Sequence, residues 1–360
     1  MEIKFNPNIN IFIGKNGEGK TNILESIYLL ALSKTYRSTQ ENELIKFNEE
    51  ICRIEGIIEN DDLIKKKEIS LSKNRKQLFI NGKEIRRNRD YIQDFSVISF
   101  SPSDLDIVKG SPNIRRNMMN VDISQLHNNY ISYLNEYNQV VKIRNEYLKK
   151  MNLNGNADER YLEVINNELI NKAIKIYEYR IDFLNKINFR ISSIFKKITG
   201  IDNLKINYLN NLNITSFDEE DIRKKILTKM RKNFHIELMQ GMTLIGPHRD
   251  DFCFDLDGID MKTYASQGQQ RMAVIALKIS EIFLFKDEIG SYPVLLLDDI
   301  FSEIDSVKRN KIIRFLNNDI QTIVTTTDIN DISEKLLENA VVYNVSKGNV
   351  TKKGRINNGR

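Results

Sequence analysis

The stretch Asn10-Ile11-Phe12-Ile13-Gly14-Lys15-Asn16-Gly17-Glu18-Gly19-Lys20-Thr21 decides how the 360-residue chain is read. Four residues of apolar, strand-like character lead into a glycine-rich turn that ends in Lys-Thr. An amphipathic run to about Leu32 follows. Glycines at 14, 17 and 19 let successive backbone N–H groups turn inward around phosphate oxygens, and the helix that begins at Thr21 adds a favourable dipole. In that pattern Lys20 reaches the β and γ phosphates and Thr21 ligates Mg²⁺. The alternative is an incidental glycine-rich turn; the strand before it and the helix after it favour a nucleotide.

A phosphate loop needs an acidic partner on a neighbouring strand. Val294-Leu295-Leu296-Leu297-Asp298-Asp299 supplies one. Four aliphatic residues suit a buried parallel strand, with Asp298 at its carboxyl end to hold Mg²⁺. Asp299 stands where a second carboxylate can orient the attacking water. Ser266-Gln267-Gly268-Gln269-Gln270-Arg271 forms a polar turn that starts a helix. It reads as a second anion site, and one chain with two such sites points to a γ-phosphate shared between two subunits. A plain helix N-cap is the other reading.

Around these strings the chain falls into three stretches, 1–108, 109–236 and 237–360. The first predicts strands over Ile9–Ile13, Ile51–Ile58, Glu68–Leu71, Gln77–Ile80 and Ser96–Phe100, with a tight turn at Asn81-Gly82. The second carries apolar residues at helical spacing from Tyr130 to Leu148 and from Leu162 to Phe195, either side of a polar break over Asn152–Asp158. It is a helical pair, either a projecting arm or an ordinary helical subdomain. The third returns to strands at Val294–Leu297 and Thr322–Thr325. The predicted architecture is an α/β P-loop ATPase domain built from both ends of the chain, with an inserted α-helical lobe.

Composition narrows the functions. With 41% hydrophobic and 29% charged residues the chain is globular rather than disordered. Its richness in Ile, Asn and Lys reports an AT-rich genome. There is no signal peptide and no run long enough to span a membrane. Cys52 and Cys253 make no disulfide framework, which fits a reducing, cytoplasmic setting. They read as small buried hydrophobes. The net charge is only +5, but residues 64–89 concentrate ten Lys and Arg against Glu68 and Glu84. Lys65, Lys66, Lys67, Arg86 and Arg87 suit backbone phosphates of DNA rather than base reading; a solvated hairpin is the alternative. Residues 346–360 add Lys347, Lys352, Lys353, Arg355 and Arg360, read as a frayed tail.

The three site strings together resemble the ABC-type ATPases of the SMC class, and their wording resembles the RecF family of bacterial recombination mediators. The resemblance runs along the chain: Thr21–Tyr28; Tyr36-Arg37-Ser38; Phe100–Leu105; Lys109–Pro112 with Arg115-Arg116; Asp122–Gln125; Thr243-Leu244-Ile245-Gly246-Pro247-His248-Arg249-Asp250-Asp251; Ser266–Arg271; Leu295–Asp299 with Ser302–Asp305; and Gln321–Asp328. Members of the family begin with a further strand bearing an Asn-Phe-Arg type motif, and the chain starts after it. Where transporter ATPases carry a switch His, Thr325, Thr326, Thr327 and Asp328 stand. Asp299 stands for the transporter Glu, one methylene shorter, which predicts slow hydrolysis.

The resemblance implies an ATP-dependent DNA-binding protein of replication, recombinational repair and SOS induction. It implies ATP and Mg²⁺ as cofactors, an ATP-dependent homodimer, and single-stranded, gapped or duplex DNA as substrate. RecO and RecR are the implied partners in loading the recombinase RecA. His248 reads either as a catalytic base or as a structural hydrogen-bond donor. Three rivals fare worse. A transporter subunit lacks its switch His and does not explain the helical insertion; a nuclease needs another acidic cluster; and a small-molecule kinase has no use for Ser266–Arg271.

Overall fold

A computed structural model of the chain describes residues 1–35, 41–60, 63–154, 158–316, 319–329, 332, 334–337 and 340–354. Tyr36-Arg37-Ser38, Arg355 and Arg360 lie outside the described residues. The strands are β1 (Ile9–Ile13), β2 (Ile51–Asn60), β3 (Leu63–Ser72), β4 (Arg75–Ile80), β5 (Lys83–Ile85), β6 (Val97–Phe100), β7 (Leu204–Leu209), β8 (Asp251–Leu256), β9 (Ile259–Asp260), β10 (Val294–Asp298), β11 (Thr322–Thr326), β12 (Ala340–Ser346) and β13 (Asn349–Gly354). The chain divides into two compact units. One comprises Met1–Asp104, Lys197–Gly200 and Lys278–Arg360; the other comprises Leu105–Lys196 and Ile201–Leu277.

The first unit holds a six-stranded sheet in the order β13-β12-β1-β11-β10-β6. β1 pairs in parallel with β11 on one side and β12 on the other. β10 pairs in parallel with β11 and β6. Ile9, Ile11 and Phe12 are buried, as are Leu295, Leu296 and Leu297. Such unbroken apolar runs suit parallel strands covered on both faces. The helix Lys20–Leu32 follows β1. It is apolar nearly all round because it packs on two sheets: beside β6, β10 and β11 on one side, and the four-stranded sheet β2-β3-β4-β5 on the other. There Leu29 and Leu30 meet Ile69, Leu71, Leu78 and Tyr91. The helix ends at Ser33, in the left-handed region at φ 53°, whose N–H bonds the Leu29 carbonyl at 2.8 Å.

Asn81 and Gly82, at φ 50° and 80°, make the tight turn between β4 and β5. Lys347 and Gly348, at φ 50° and 76°, make another between β12 and β13. The tail read as frayed is therefore, through Gly354, a paired edge strand.

In the second unit the helix Asn128–Asn154 and the part of the helix Glu159–Thr199 up to Lys196 lie antiparallel. Glu136 meets Lys172 at 2.6 Å, Arg144 meets Asn166 at 2.7 Å and Leu148 packs with Leu162, so the partner's number falls as the other's rises. The pair is not a free arm. Phe234 and Leu238 of the helix Glu219–Gln240 pack on its Leu148–Leu162 end. Arg144 also pairs with Glu237 at 2.6 Å, both fully buried, and donates to Thr243 Oγ1 at 2.9 Å.

The sequence reading put the return to the ATPase domain at 237, whereas this unit runs on to Leu277. The reason is β-pairing: β8 lies antiparallel to β7, and β9 to β8. The lobe therefore carries a small sheet of its own. Its start falls at Leu105 rather than 109.

Candidate functional site

The loop 14–19 leaves the carboxyl end of β1 and each of its glycines has a reason. A Cβ on Gly14 would collide with the Val345 carbonyl oxygen. Gly17 and Gly19 take φ of 81° and 99°. Gly19 is also the N-cap of the helix Lys20–Leu32; no side chain caps it and its first turn holds no acid. Its leading N–H groups and dipole are thus presented to an anion. Lys20 is buried, and its ammonium donates to the carbonyls of Gly14 at 2.7 Å and Lys15 at 3.0 Å. Asn16 and Glu18 form the bend, and Glu18 is held from outside. Its carbonyl accepts from Gly348 N–H at 3.1 Å and its carboxylate from Lys347 N–H.

Asp298 ends β10, and its Oδ1 accepts from Thr21 Oγ1 at 3.1 Å and from Thr325 Oγ1 at 2.7 Å. Thr325 Oγ1 in turn accepts from Asp299 N–H at 3.1 Å. Asp299 itself is half-buried at φ 51°, a backbone conformation uncommon for a non-glycine residue and typical of sites the surroundings over-determine. Two hard oxygen donors, Thr21 and Asp298, thus meet beside a loop of inward amides. That donor set fits Mg²⁺, which is commonly held by one or two protein oxygens together with substrate phosphates. Among the described residues no cluster of three or more His, Cys, Asp or Glu offers a metal site without such help.

In the second unit, Ser266 and Gln269 form a reciprocal capping box. Ser266 Oγ accepts from Gln269 N–H at 3.3 Å, and Gln269 Oε1 accepts from Ser266 N–H at 2.9 Å. Gln270 is buried and anchors the turn through the carbonyls of Met261 at 2.8 Å and Ala265 at 3.1 Å. Ser266, Gln267 and Gly268 are exposed. Within one copy the string is an N-cap.

The string Thr243–Asp251 lies in the same unit. His248 Nε2 is 3.1 Å from the Thr243 carbonyl, which can only accept, so Nε2 carries the proton and Nδ1 accepts from Tyr137 Oη at 2.6 Å. Burial, with the cations Arg249, Arg116 and Arg180, lowers the imidazole to about 4. With both nitrogens engaged, the geometry is that of the structural reading rather than the catalytic base.

The basic cluster of 64–89 needs correction. Lys65, Lys66 and Lys67 lie on β3, where successive side chains point to opposite faces. Lys67 is buried at 2% exposure, its ammonium 4.1 Å from the centre of the Tyr91 ring, and it is no contact for DNA. Lys65 pairs with Asp94, and Lys66 with Glu55 at 3.1 Å. Arg86 and Arg87 are exposed just after β5. Both cysteines are free thiols and half-buried rather than buried. Sequence reasoning placed Thr325 where transporter ATPases carry a switch His, but missed its bonds to Asp298 and Asp299 and the hold of the β12–β13 turn on Glu18.

The family model described as RecF/RecN/SMC N terminal domain matches residues 1–351. The chain is 37% identical over 354 residues to the DNA replication and repair protein RecF of Staphylococcus aureus strain bovine RF122 / ET3-1, covering 98% of this chain and 96% of that one. The RecF of strain JH9 matches equally. Among solved structures, the recombination mediator protein RecF-ATP in the RecFOR pathway superposes with a TM-score of 0.89 at 32% identity, over 97% of this chain and 92% of that one. An SmcHead bound to the C-winged helix domain of ScpA shares the fold, with a TM-score of 0.51 at 12% identity, over 98% of this chain and 92% of that one. With loop, strand-end acid and capped signature helix in place across so complete a match, the chain belongs to the RecF family, within the RecF/RecN/SMC N-terminal domain group.

Proposed function

We propose that the chain is an ATP-dependent DNA-binding protein of replication and recombinational repair, acting as a switch rather than a motor. The observation that carries it is the 3.1 Å contact of Thr21 with Asp298, which brings together residues 277 apart in sequence, one at the start of the helix after the phosphate loop and one at the end of β10. The S. aureus relatives, named as replication and repair proteins, and the related RecF-ATP structure support the reading.

Bound ATP with Mg²⁺ supplies the phosphoanhydride and the metal charge. The loop amides of 14–19 and Lys20 hold the phosphates; Thr21 and Asp298 hold the metal; Asp299 orients water. The exposed Ser266–Gln269 turn of a second copy contacts the γ-phosphate, so that ATP clamps a homodimer. Arg86 and Arg87 contact backbone phosphates of single-stranded, gapped or duplex DNA. The RecFOR pathway of the related structure supports RecO and RecR as partners. No helix among the described residues is long and apolar enough to cross a membrane, and the chain works in the cytoplasm.

The test separates switch from motor. Asp298→Asn weakens Mg·ATP binding, so that little dimer forms. Asp299→Asn keeps nucleotide but slows hydrolysis by on the order of 10²–10³-fold, so that the ATP dimer accumulates and holds DNA longer. Size-exclusion chromatography with ATP and DNA dissociation rates read both. A monomeric Asp299→Asn protein, or one that releases DNA as fast as wild type, sinks the proposal.

A further inference from the structure

The second unit contains a cavity of about 500 Å³ that the nucleotide reading leaves unused. Its polar wall includes Arg116, Arg180, Asn117, Asn120 and Asn138, while Leu134, Tyr137 and Pro247 give it an apolar side. The size lies within the usual range for small-ligand sites.

The two arginines are the unusual part. Arg180 is 1% exposed, and the groups its guanidinium bonds are neutral: Pro247 carbonyl at 2.6 Å, Asn120 Oδ1 at 3.0 Å and Tyr130 Oη at 3.2 Å, with the Tyr208 hydroxyl beside them. Arg116 likewise donates to the Asp250 carbonyl at 2.8 Å and Asn113 Oδ1 at 2.7 Å. Neighbouring arginines away from the cavity are treated differently. Arg115 forms a two-pronged pair with Asp251 at 2.6 and 2.8 Å, and Arg144 pairs with Glu237.

A buried cation such as Arg180 is costly unless an anion answers it, and the half-buried Arg116 beside it adds a second positive charge. Burial first, and then the charge of Arg180, pull the Arg116 guanidinium down. Two carboxylates act on Arg116 and pull it back up, Asp251, which is already paired with Arg115, and Asp250; neither is on the cavity wall. Burial raises Asp250 to about 6, and its Oδ2 accepts from Tyr208. His248, neutral and engaged at both nitrogens, adds no charge.

We propose that this cavity binds a nucleotide unit, its phosphate between Arg116 and Arg180 and its ring against Leu134, Tyr137 and Pro247. Guanidinium forks match phosphate oxygens two at a time, and the carboxamides of Asn117 and Asn138 can pair with a base edge. The ligand is either a free nucleotide or one nucleotide of a single strand; the chemistry of recognition is the same. The proposal does not rest on ATP binding at Gly14–Thr21.

The test uses the full-length chain with Lys20→Ala, which silences the phosphate loop. Deoxyadenosine monophosphate and a short single-stranded oligonucleotide are titrated calorimetrically. Saturable binding is expected, weakened about tenfold or more by Arg116→Gln, the loss of one charge-assisted contact. Asn117 is exposed, so Asn117→Asp preserves the fold while placing a negative charge on the wall, and it weakens binding in the same direction. Binding of the monophosphate identifies a free nucleotide; binding of the oligonucleotide alone identifies a strand; either supports the site provided both substitutions weaken it. No saturable binding of either probe, or binding that both substitutions leave unchanged, overturns it.

Discussion

A single hydroxyl joins the two acidic residues at the end of β10. Thr325 donates to Asp298 and shares the Asp299 N–H with its own carbonyl, which accepts at 3.1 Å, so the hydroxyl fixes the carboxylate beside Thr21 and helps hold the left-handed turn at Asp299. Thr325→Val keeps the shape and removes both bonds of the hydroxyl. Outer-shell partners of this kind typically contribute 10–100-fold in metal affinity or activity, and a loss of that size is expected in the Mg²⁺ dependence of nucleotide binding. An unchanged Mg²⁺ titration would show that Thr325 only fills space. The loop and the strand-end acids were legible in the sequence because their spacing is local. The bonds of Thr325 were not, though its place at the switch position was: in Thr322-Ile323-Val324-Thr325-Thr326 a threonine looks like any other β-branched residue, and its partner is 27 positions away. His248 was ambiguous for the same reason, since Tyr137 and the Thr243 carbonyl come to it only in the fold.

At the scale of one strand, β3 shows how counting charges misleads. Lys67, Ile69 and Leu71 share a face and are all buried, at 2%, 0% and 3% exposure. Period-two alternation was present in the sequence; a tally of lysines ignored it. Burial lowers the Lys67 ammonium to about 7, against the opposing pull of Asp94. Between about 7 and 10.5 the unfolded chain therefore binds the extra proton and the folded one does not. The resulting destabilisation is complete below about pH 7 and fades as pH rises toward 10.5. Lys67→Met removes it, so its stability advantage over wild type is largest near neutral pH and shrinks in alkali. Urea unfolding of both proteins from pH 7 to 10 measures this; an advantage independent of pH would mean that Lys67 is not buried as a neutral amine.

At the scale of the whole molecule, Arg86 and Arg87 are exposed after β5 while Lys65 and Lys66 are paired, so the proposed phosphate contact rests on the two arginines. Arg86→Gln with Arg87→Gln is expected to weaken DNA binding for all sequences alike and to flatten the salt slope by roughly 1.8 on duplex, about 0.9 for each lost contact. A loss confined to certain sequences would point to base reading instead. The two-ended build of the ATPase unit was legible from the order of its motifs. The extent of the lobe was not, because β7 and β8 are short runs separated by a helix and only their pairing assigns both to one unit.

That two-ended build also sets a timetable. β1 leaves the ribosome long before both strands that flank it in the sheet, β11 and β12. At about 5–20 residues per second of synthesis, the wait is on the order of 15–60 s. The unit of Leu105–Lys196 and Ile201–Leu277 has all its own contacts within reach before then. It is the part that can fold while the chain is still growing, and the apolar strand ahead of the phosphate loop must stay unpaired until β11 and β12 have followed it out.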